Sequence, residues 1–454
     1  MRLAFCALSS VAVGLLAGCG QMRTRYMRPE VDLPAAFHHA DERAKASLDH
    51  WWQSFDDSKL TALVEEALRQ NSDLALAALN ARAASLQAHL AIINPIVGAG
   101  YTYDYSQPFQ GSIPATQFHS VTATVSYQID VWDQLKATED VARWEARATE
   151  QDRQSVALAL IGSIVNLYFQ LANLNYRIDV GGQSIAYAVK TLDLVKGLKD
   201  AGGGTKLEIA EAEQGLESER ASQSVLFEQR AEMQNALTSL LNGVGSPEEQ
   251  GRVAVPDRPP PAVAAGLPAS LLERRPDLRA AELRLRETLA ITDATRLSFY
   301  PNFSLTGSFG TASTVLSELV SNPLGSLAAI MTLPILRINQ AHFATALARM
   351  QYDKAVLGFR KALLQALVDV DNALSARAQL AEEGAQLERS LEAAKTAERL
   401  YEIRFRAGAV ALRAWLDAQE SRRQVEIQLA GTRLQRLQNY ATLCLALGGG
   451  ADRL

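Results

Sequence analysis

The chain has 454 residues, 48% hydrophobic, with 45 Lys and Arg against 50 Asp and Glu for a formal net charge of −5. The length allows two or three ordinary domains, and a balanced charge without a basic tract argues against a nucleic-acid partner. After the first twenty residues no apolar run approaches the roughly 20 residues of a membrane helix, so any bilayer crossing is expected to be made by strands.

Residues 1–18 have the features of a signal peptide: Arg2 gives a positive start, Leu3 to Leu16 an apolar stretch, and Leu16-Ala17-Gly18 a small-residue end before Cys19. Cys6 is lost with that segment, which leaves Cys19 and Cys444 and excludes a disulfide framework. Residues 19–50 form an extended polar leader. Trp51-Trp52-Gln53-Ser54-Phe55 then precedes a helix with Leu60, Leu63, Val64, Ala67 and Leu68 at helical spacing. Asn71-Ser72-Asp73 ends it and caps the next helix, expected from about Leu74 to Ile93, and Asn94-Pro95 stops that one.

A strand pair follows, over about 95–130. Val97, Ala99, Tyr101, Tyr103 and Tyr105, then Val121, Ala123, Val125, Tyr127 and Ile129, alternate with Thr102, Asp104 and Ser106, then Ser120, Thr122, Thr124, Ser126 and Gln128. One face is aromatic and apolar, the other hydroxyl and amide. A soluble hairpin does this against a core; a transmembrane barrel does it with lipid outside and a wet lumen inside.

From about 134 to 242 there is no proline, and Leu160, Ile164, Leu167, Leu171, Leu174 and Ile178 form a heptad-like seam. Gly202-Gly203-Gly204 is the one strong break, so a long helix pair is expected. A helix from Leu135 to about Asp200 would be roughly 100 Å long, which suits a bundle, stalk or tube better than a globular core.

Residues 256–268 form a Pro-rich linker, after which the plan of 51–255 recurs in 269–454. Arg275-Pro276-Asp277-Leu278 stands where Asn71-Ser72-Asp73-Leu74 stood. Phe303, Leu305, Gly307 and Phe309 alternate with Ser304, Thr306 and Ser308 in a second strand pair over about 301–334, whose last strand is fainter. A second long helix pair covers about 336–447, with Ala407-Gly408 at its break and a seam of Ile427, Ala430, Leu434, Leu437, Ala441 and Cys444. Four strands cannot close a membrane barrel, because single-chain barrels begin at eight, and open edges in lipid leave backbone groups unpaired. If the strands are in membrane, several chains share one barrel. Two chains give a side-chain-filled lumen and three give twelve strands with some space.

Several motifs in this order resemble the TolC-type outer-membrane factors, in the lipoprotein branch that serves resistance-nodulation-division efflux pumps. They are the lipobox-like Leu-Ala-Gly-Cys19, Tyr26-Met27-Arg28-Pro29, Trp51-Trp52 with Phe55, Asp57 and Leu60, and Asn71 with Asp73-Leu74. Further on come Arg274-Arg275-Pro276-Asp277-Leu278, Tyr300-Pro301, Leu416-Asp417-Ala418-Gln419 and Ala446-Leu447-Gly448-Gly449-Gly450. The resemblance implies a mainly α chain with a transmembrane β part. In the assembled trimer, a 12-stranded outer-membrane barrel with four strands per chain continues into a periplasmic helical barrel. It also implies lipidation of Cys19, a tip closed at rest, and a periplasmic adaptor and an inner-membrane pump as partners. The duct is passive, and the pump's proton gradient supplies the energy.

The same resemblance puts an acidic ring of the closed tip at Asp417. Like charges brought together by symmetry narrow the opening, repel anions and raise one another's pKa. Arg413, one turn earlier, occupies a position that is commonly an apolar constriction in relatives, and it is expected to pair with Asp417 at i,i+4 spacing or with a neighbouring chain. Glu208 and Glu211 are the corresponding candidates in the first repeat. Gly202, Gly203, Gly204 and Gly408 mark tips expected to meet the adaptor. Tyr101, Tyr103, Tyr105, Tyr127, Phe303 and Phe309 form the expected membrane girdle. From the residues alone, Asp417 is also readable as a solvated helix-face carboxylate, and the glycines as simple C-caps. The six histidines show no ligand spacing and no catalytic constellation is found, so neither a metal, a cofactor nor an enzymatic role is expected. The competing reading is a lipid-anchored periplasmic coiled-coil scaffold without a pore, which leaves the duplicated strands unexplained.

Overall fold

The computed structural model describes residues 22–38, 48–91, 94–109, 114–243, 256, 260–265, 268–321, 323–334 and 338–450. The signal segment, Cys19 and linker residues 257–259 and 266–267 lie outside the described residues. Helices α1 (Ser58–Gln70) and α2 (Ser72–Leu90) follow a 3-10 turn at Trp51–Phe55. Next come β1 (Ile96–Ser106), β2 (Thr116–Ile129), α3 (Gln134–Asp200) and α4 (Lys206–Leu240). The second half gives α5 (Pro276–Leu297), β3 (Asn302–Ser313), β4 (Pro323–Thr332), α6 (Ile338–Arg406) and α7 (Leu412–Ala446). The duplication extends to element length: α3 and α6 have 67 and 69 residues, and α4 and α7 have 35 each.

Two compact units cut across this duplication, each built from both halves of the sequence: 1–31, 80–150 and 280–361 in one, 32–79, 151–279 and 362–454 in the other. The first unit holds a four-stranded antiparallel sheet in the order β1-β2-β3-β4. Ahead of Pro95, which has no N–H to give, the Asn94 side chain extends the ladder, donating to the Gln128 carbonyl at 2.7 Å and accepting from its N–H at 3.0 Å. The leader's residues 22–28 also pack in this unit. Arg23 pairs with Asp140, Thr24 donates twice to Asp293 (2.7 and 2.8 Å), and Arg28 meets Glu282 at 2.7 Å. Asp140, Glu282 and Asp293 are buried, so each needs such a partner to offset its desolvation. Burial raises the Glu282 pKa, but hydrogen bonds from Arg28 and Arg286 outweigh that and hold it below the usual carboxylate range.

The second unit contains an aromatic core. Trp51 and Phe169 are almost fully buried, Phe55 lies 4.7 Å from Phe169 and 5.2 Å from Tyr440 ring to ring, and burying each such side chain is worth about 1.5–3 kcal/mol. Asp57 caps α1 by accepting from the Lys59 and Leu60 N–H groups at 2.9 and 3.1 Å, and also takes the Tyr168 hydroxyl proton donation. The expected seams are packed: Leu160, Ile164, Leu171, Leu174 and Ile178 on α3, and Leu437, Ala441 and Cys444 on α7, are all buried. Part of α3 is long and apolar enough to cross a membrane, against expectation. The reason is that the seam and its neighbours Ile161, Val165 and Phe169 cover the helix on several sides, and most of that window is buried in protein.

The two repeats are also joined alike. Asn71, preceding α2, accepts from the Leu74 N–H at 3.0 Å and donates to the Leu240 carbonyl, the last residue of α4, at 3.0 Å. Arg275, preceding α5, donates to the Ala446 carbonyl, the last residue of α7, at 3.3 Å. Helix ends leave carbonyls without intrahelical partners, and in both halves the residue before the short helix satisfies one. This is the physical content of the Asn71/Arg275 match.

Candidate functional site at the helix tips and strand faces

In the second unit, α3 and α4 meet at one tip, and α6 and α7 at the other. Each landmark of the second tip stands 206 positions after its counterpart: Gly408 after Gly202, Arg406 after Asp200, Leu412 after Lys206, Ala446 after Leu240. Both turns close with the same hydrogen-bond pair. Gly202 and Gly408 have φ of 82° and 70°. Their N–H groups donate to Lys199 and Phe405, while those of Gly203 and Ala409 donate to Leu198 and Arg404, all at 2.8–2.9 Å. This is the Schellman closure, whose left-handed residue favours glycine.

The same numbering makes Glu211 the counterpart of Asp417, and Leu207 the counterpart of Arg413. Glu208 is therefore not equivalent to either gate candidate. It closes a capping box with Thr205, accepting the Thr205 N–H at 2.8 Å while its own N–H donates to the Thr205 hydroxyl at 3.2 Å. Leu207, 68% exposed, is the apolar side chain that the second repeat replaces with Arg413. Arg413 Nε lies 3.0 Å from Asp417 Oδ1, with both side chains exposed; the i,i+4 pair expected from spacing is formed.

Behind these polar groups lies an apolar core drawn from all four helices: Leu192 and Val195 of α3, Ala212 and Leu216 of α4, Phe405 of α6, Leu412 and Trp415 of α7. Trp415 stacks on Phe405 at 5.3 Å and meets Tyr187 edge-on at 6.0 Å. Burial, then the Glu402 carboxylate, pushes the Tyr187 hydroxyl up to about 12. Further along α7, Arg422 contacts Glu398 of α6 at 2.7 Å, and Arg423 pairs with Glu219 of α4. α7 is thereby bonded to both neighbours. Burial is the largest influence on Glu219 and Glu398 and lifts both above the usual carboxylate range, against the pull of the arginines. The core aromatics and these arginines were not singled out from sequence, where the Arg422-Arg423 doublet and a lone Trp in a long helix were the available signals.

In the first unit the strand register sorts the side chains as the alternation requires. Tyr101 faces Val121, Tyr103 faces His119, Ala123 faces Phe309, Tyr127 faces Leu305 and Ile129 faces Phe303 across the ladders. Directly opposed residues share a face, so Tyr101, Tyr103, Tyr105, Tyr127, Phe303 and Phe309 lie on one surface. Leu327 and Met331 of β4 continue it. His119 is buried there, its ring 4.8 Å from Tyr103 and its Nδ1 2.8 Å from the Tyr101 hydroxyl. The other face carries hydroxyls that bond across strands: Ser126 with Thr306 at 2.9 Å and Ser308 with Ser326 at 2.7 Å. Leu324 and Ile330 fall on this face, which is why β4 alternates weakly. Among the described residues no cluster of His, Cys, Asp and Glu fits a metal ion.

A sheet with one apolar and one hydroxyl face, continuing into helices of nearly 70 residues that each turn back through a 35-residue helix, defines the protomer of a membrane-associated duct. The chain belongs to the outer membrane efflux protein family, whose model matches residues 63–243 and 267–449, one span in each repeat. It is 29% identical over 415 residues to the pyoverdine export outer membrane protein OpmQ of Pseudomonas putida, covering 88% of each chain. To outer membrane protein OprJ of Pseudomonas aeruginosa it is 28% identical, covering all of this chain and 97% of the relative. The open state of the Neisseria gonorrhoeae MtrE outer membrane channel superposes with a TM-score of 0.84 at 26% identity, covering 95% of this chain and 98% of that one. The fold is that of the TolC-type channels, and the protein is an efflux channel of the outer membrane with a helical periplasmic part.

Proposed function

We propose that three copies of this chain form the passive exit duct of a tripartite efflux system, fed by a periplasmic adaptor and a proton-driven inner-membrane pump. The observation that carries this reading is the β1-β2-β3-β4 sheet, whose outer strands β1 and β4 are exposed along their whole length. In lipid each unpaired backbone group costs several kcal/mol, and three sheets closing edge to edge, β4 of one copy on β1 of the next, remove every edge. Twelve strands then surround a lumen lined by the Ser/Thr face, with the tyrosine face toward lipid. Lipid on Cys19 supplies a second membrane attachment.

The gate lies at the helix tips. Threefold symmetry brings together three Arg413–Asp417 pairs and three Leu207/Glu211 pairs, and the glycine turns at Gly202–Gly204 and Gly408 present themselves to the adaptor. Opening requires the α6–α7 hairpin to shift against α3 and α4, hence strain on the Trp415 core and the Arg423–Glu219 pair. Purified protein is expected to run as a heat-resistant trimer from outer-membrane fractions and to conduct ions in planar bilayers. A monomer, or a trimer without conductance, favours the scaffold reading instead.

A further inference from the structure

The two strand hairpins are almost uncharged. Residues 96–129 and 302–332 contain two acidic side chains, Asp104 and Glu318, and no Lys or Arg. Both acids sit at the same end of the sheet. Asp104 lies two residues before the end of β1, opposite Phe118 on β2, in the ladder position that puts it on the Ser/Thr face with Thr102 and Ser106. Glu318 is exposed in the 3-10 turn Leu316–Glu318 joining β3 to β4. The chain enters β1 from α2 and leaves β2 into α3, so the ends carrying Asp104 and Glu318 are the ends remote from those helices.

We propose that Asp104 and Glu318 make the loop-side mouth of the channel selective for cations over anions, independently of the helix tips. This rests on the trimeric-duct reading, in which the Ser/Thr face lines the lumen and six carboxylates with no compensating cation crowd one rim. A twelve-stranded barrel has a backbone radius of roughly 12 Å, from a strand spacing of about 4.8 Å and a tilt of about 40°. Side chains shorten the distance to the axis. The Debye length is about 10 Å in 0.1 M salt and about 3 Å in 1 M, so the rim charges act on a passing ion at low salt and are screened at high salt. Cationic cargo leaving the duct is favoured and anionic cargo is held back. A neutral hydroxyl lumen leaves these carboxylates as the main electrostatic influence on that half of the path.

The test is the reversal potential of bilayer-inserted channels in a potassium chloride gradient, comparing wild type with the double variant Asp104→Asn, Glu318→Gln. The double variant is expected to lower the potassium-to-chloride permeability ratio about twofold or more at 0.1 M, with the difference closing at 1 M. If the double variant fails to insert, the single variants Asp104→Asn and Glu318→Gln carry the test, and each must lower the ratio in the same direction. An unchanged ratio in either experiment, in channels that conduct, overturns the proposal and leaves the duct reading standing. A wild type that forms no channels overturns the duct reading itself.

Discussion

The two tips have one backbone and different ways of holding it. Both close through a left-handed glycine, Gly202 or Gly408, and both send out a return helix of 35 residues. The first return helix is capped locally, by the reciprocal Thr205–Glu208 bonds. The second starts at Ala411, whose side chain makes no capping bond, so its first N–H groups lack that help. Its start is held instead by tertiary packing: Leu412 is 0% and Trp415 2% exposed, whereas their counterparts in the first tip, Lys206 and Ile209, are exposed and half-buried. A helix start fixed by its own sequence stays formed when its surroundings move. One fixed by packing loosens when the packing is disturbed, which makes the second tip the more suitable moving part.

The strongest way to break this comparison is to remove the tertiary hold. Trp415→Ala should destabilise the protein by about 3–5 kcal/mol, as large aromatic-to-alanine changes in cores do, in chemical denaturation followed by circular dichroism. An exposed residue of the first tip, such as Leu207→Ala, should stay within about 0.5 kcal/mol. Next in size are the turns. Gly408→Val forces a β-branched residue to a φ of 70° and should cost at least about 1–2 kcal/mol. Gly203→Ala, with no positive φ and no atom nearer than 3.7 Å to the added carbon, should be near neutral in the same assay. The smallest effect sharpens the asymmetry from the other side. Thr205→Ala should lose about 1 kcal/mol, while Ala411→Ser, at an extended N-cap (φ −69°, ψ 153°), should gain up to about 1 kcal/mol by supplying the missing cap. If both tips respond equally to capping changes, the asymmetry is not real.

Much of this was legible in the residues. Period-2 alternation identified both strand pairs and assigned Tyr101 to Phe309 to one face, because a single face repeats every two residues and the register only had to preserve it. The proline-free stretches and the breaks at Gly202 and Gly408 gave the helix pairs, since few other residues end a helix so sharply. The Arg413–Asp417 pair followed from i,i+4 spacing. What did not follow was anything set by packing between helices distant in sequence. Trp415 on Phe405, Arg423 with Glu219 and the buried Asp140 under Arg23 all depend on which helix faces which. An acid near a helix start, such as Glu208, reads alike in sequence whether it lines a pore or closes a capping box. The hydrogen bonds to Thr205 show that Glu208 closes the capping box. The compact units, likewise, cut across the sequence repeats because each repeat supplies strands to one and long helices to the other.

The central claim is that the duct is closed at the tips by the side chains around Asp417 and Arg413. Single-channel conductance in planar bilayers tests it most directly, comparing wild type with Arg413→Ala and Asp417→Ala. Their exposed ion pair contributes only about 0.3–0.5 kcal/mol to stability, so folding should be unaffected and any change in current reports the pore. The account predicts larger or longer openings in both variants than in wild type. Equal conductance and open time in all three channels would contradict it.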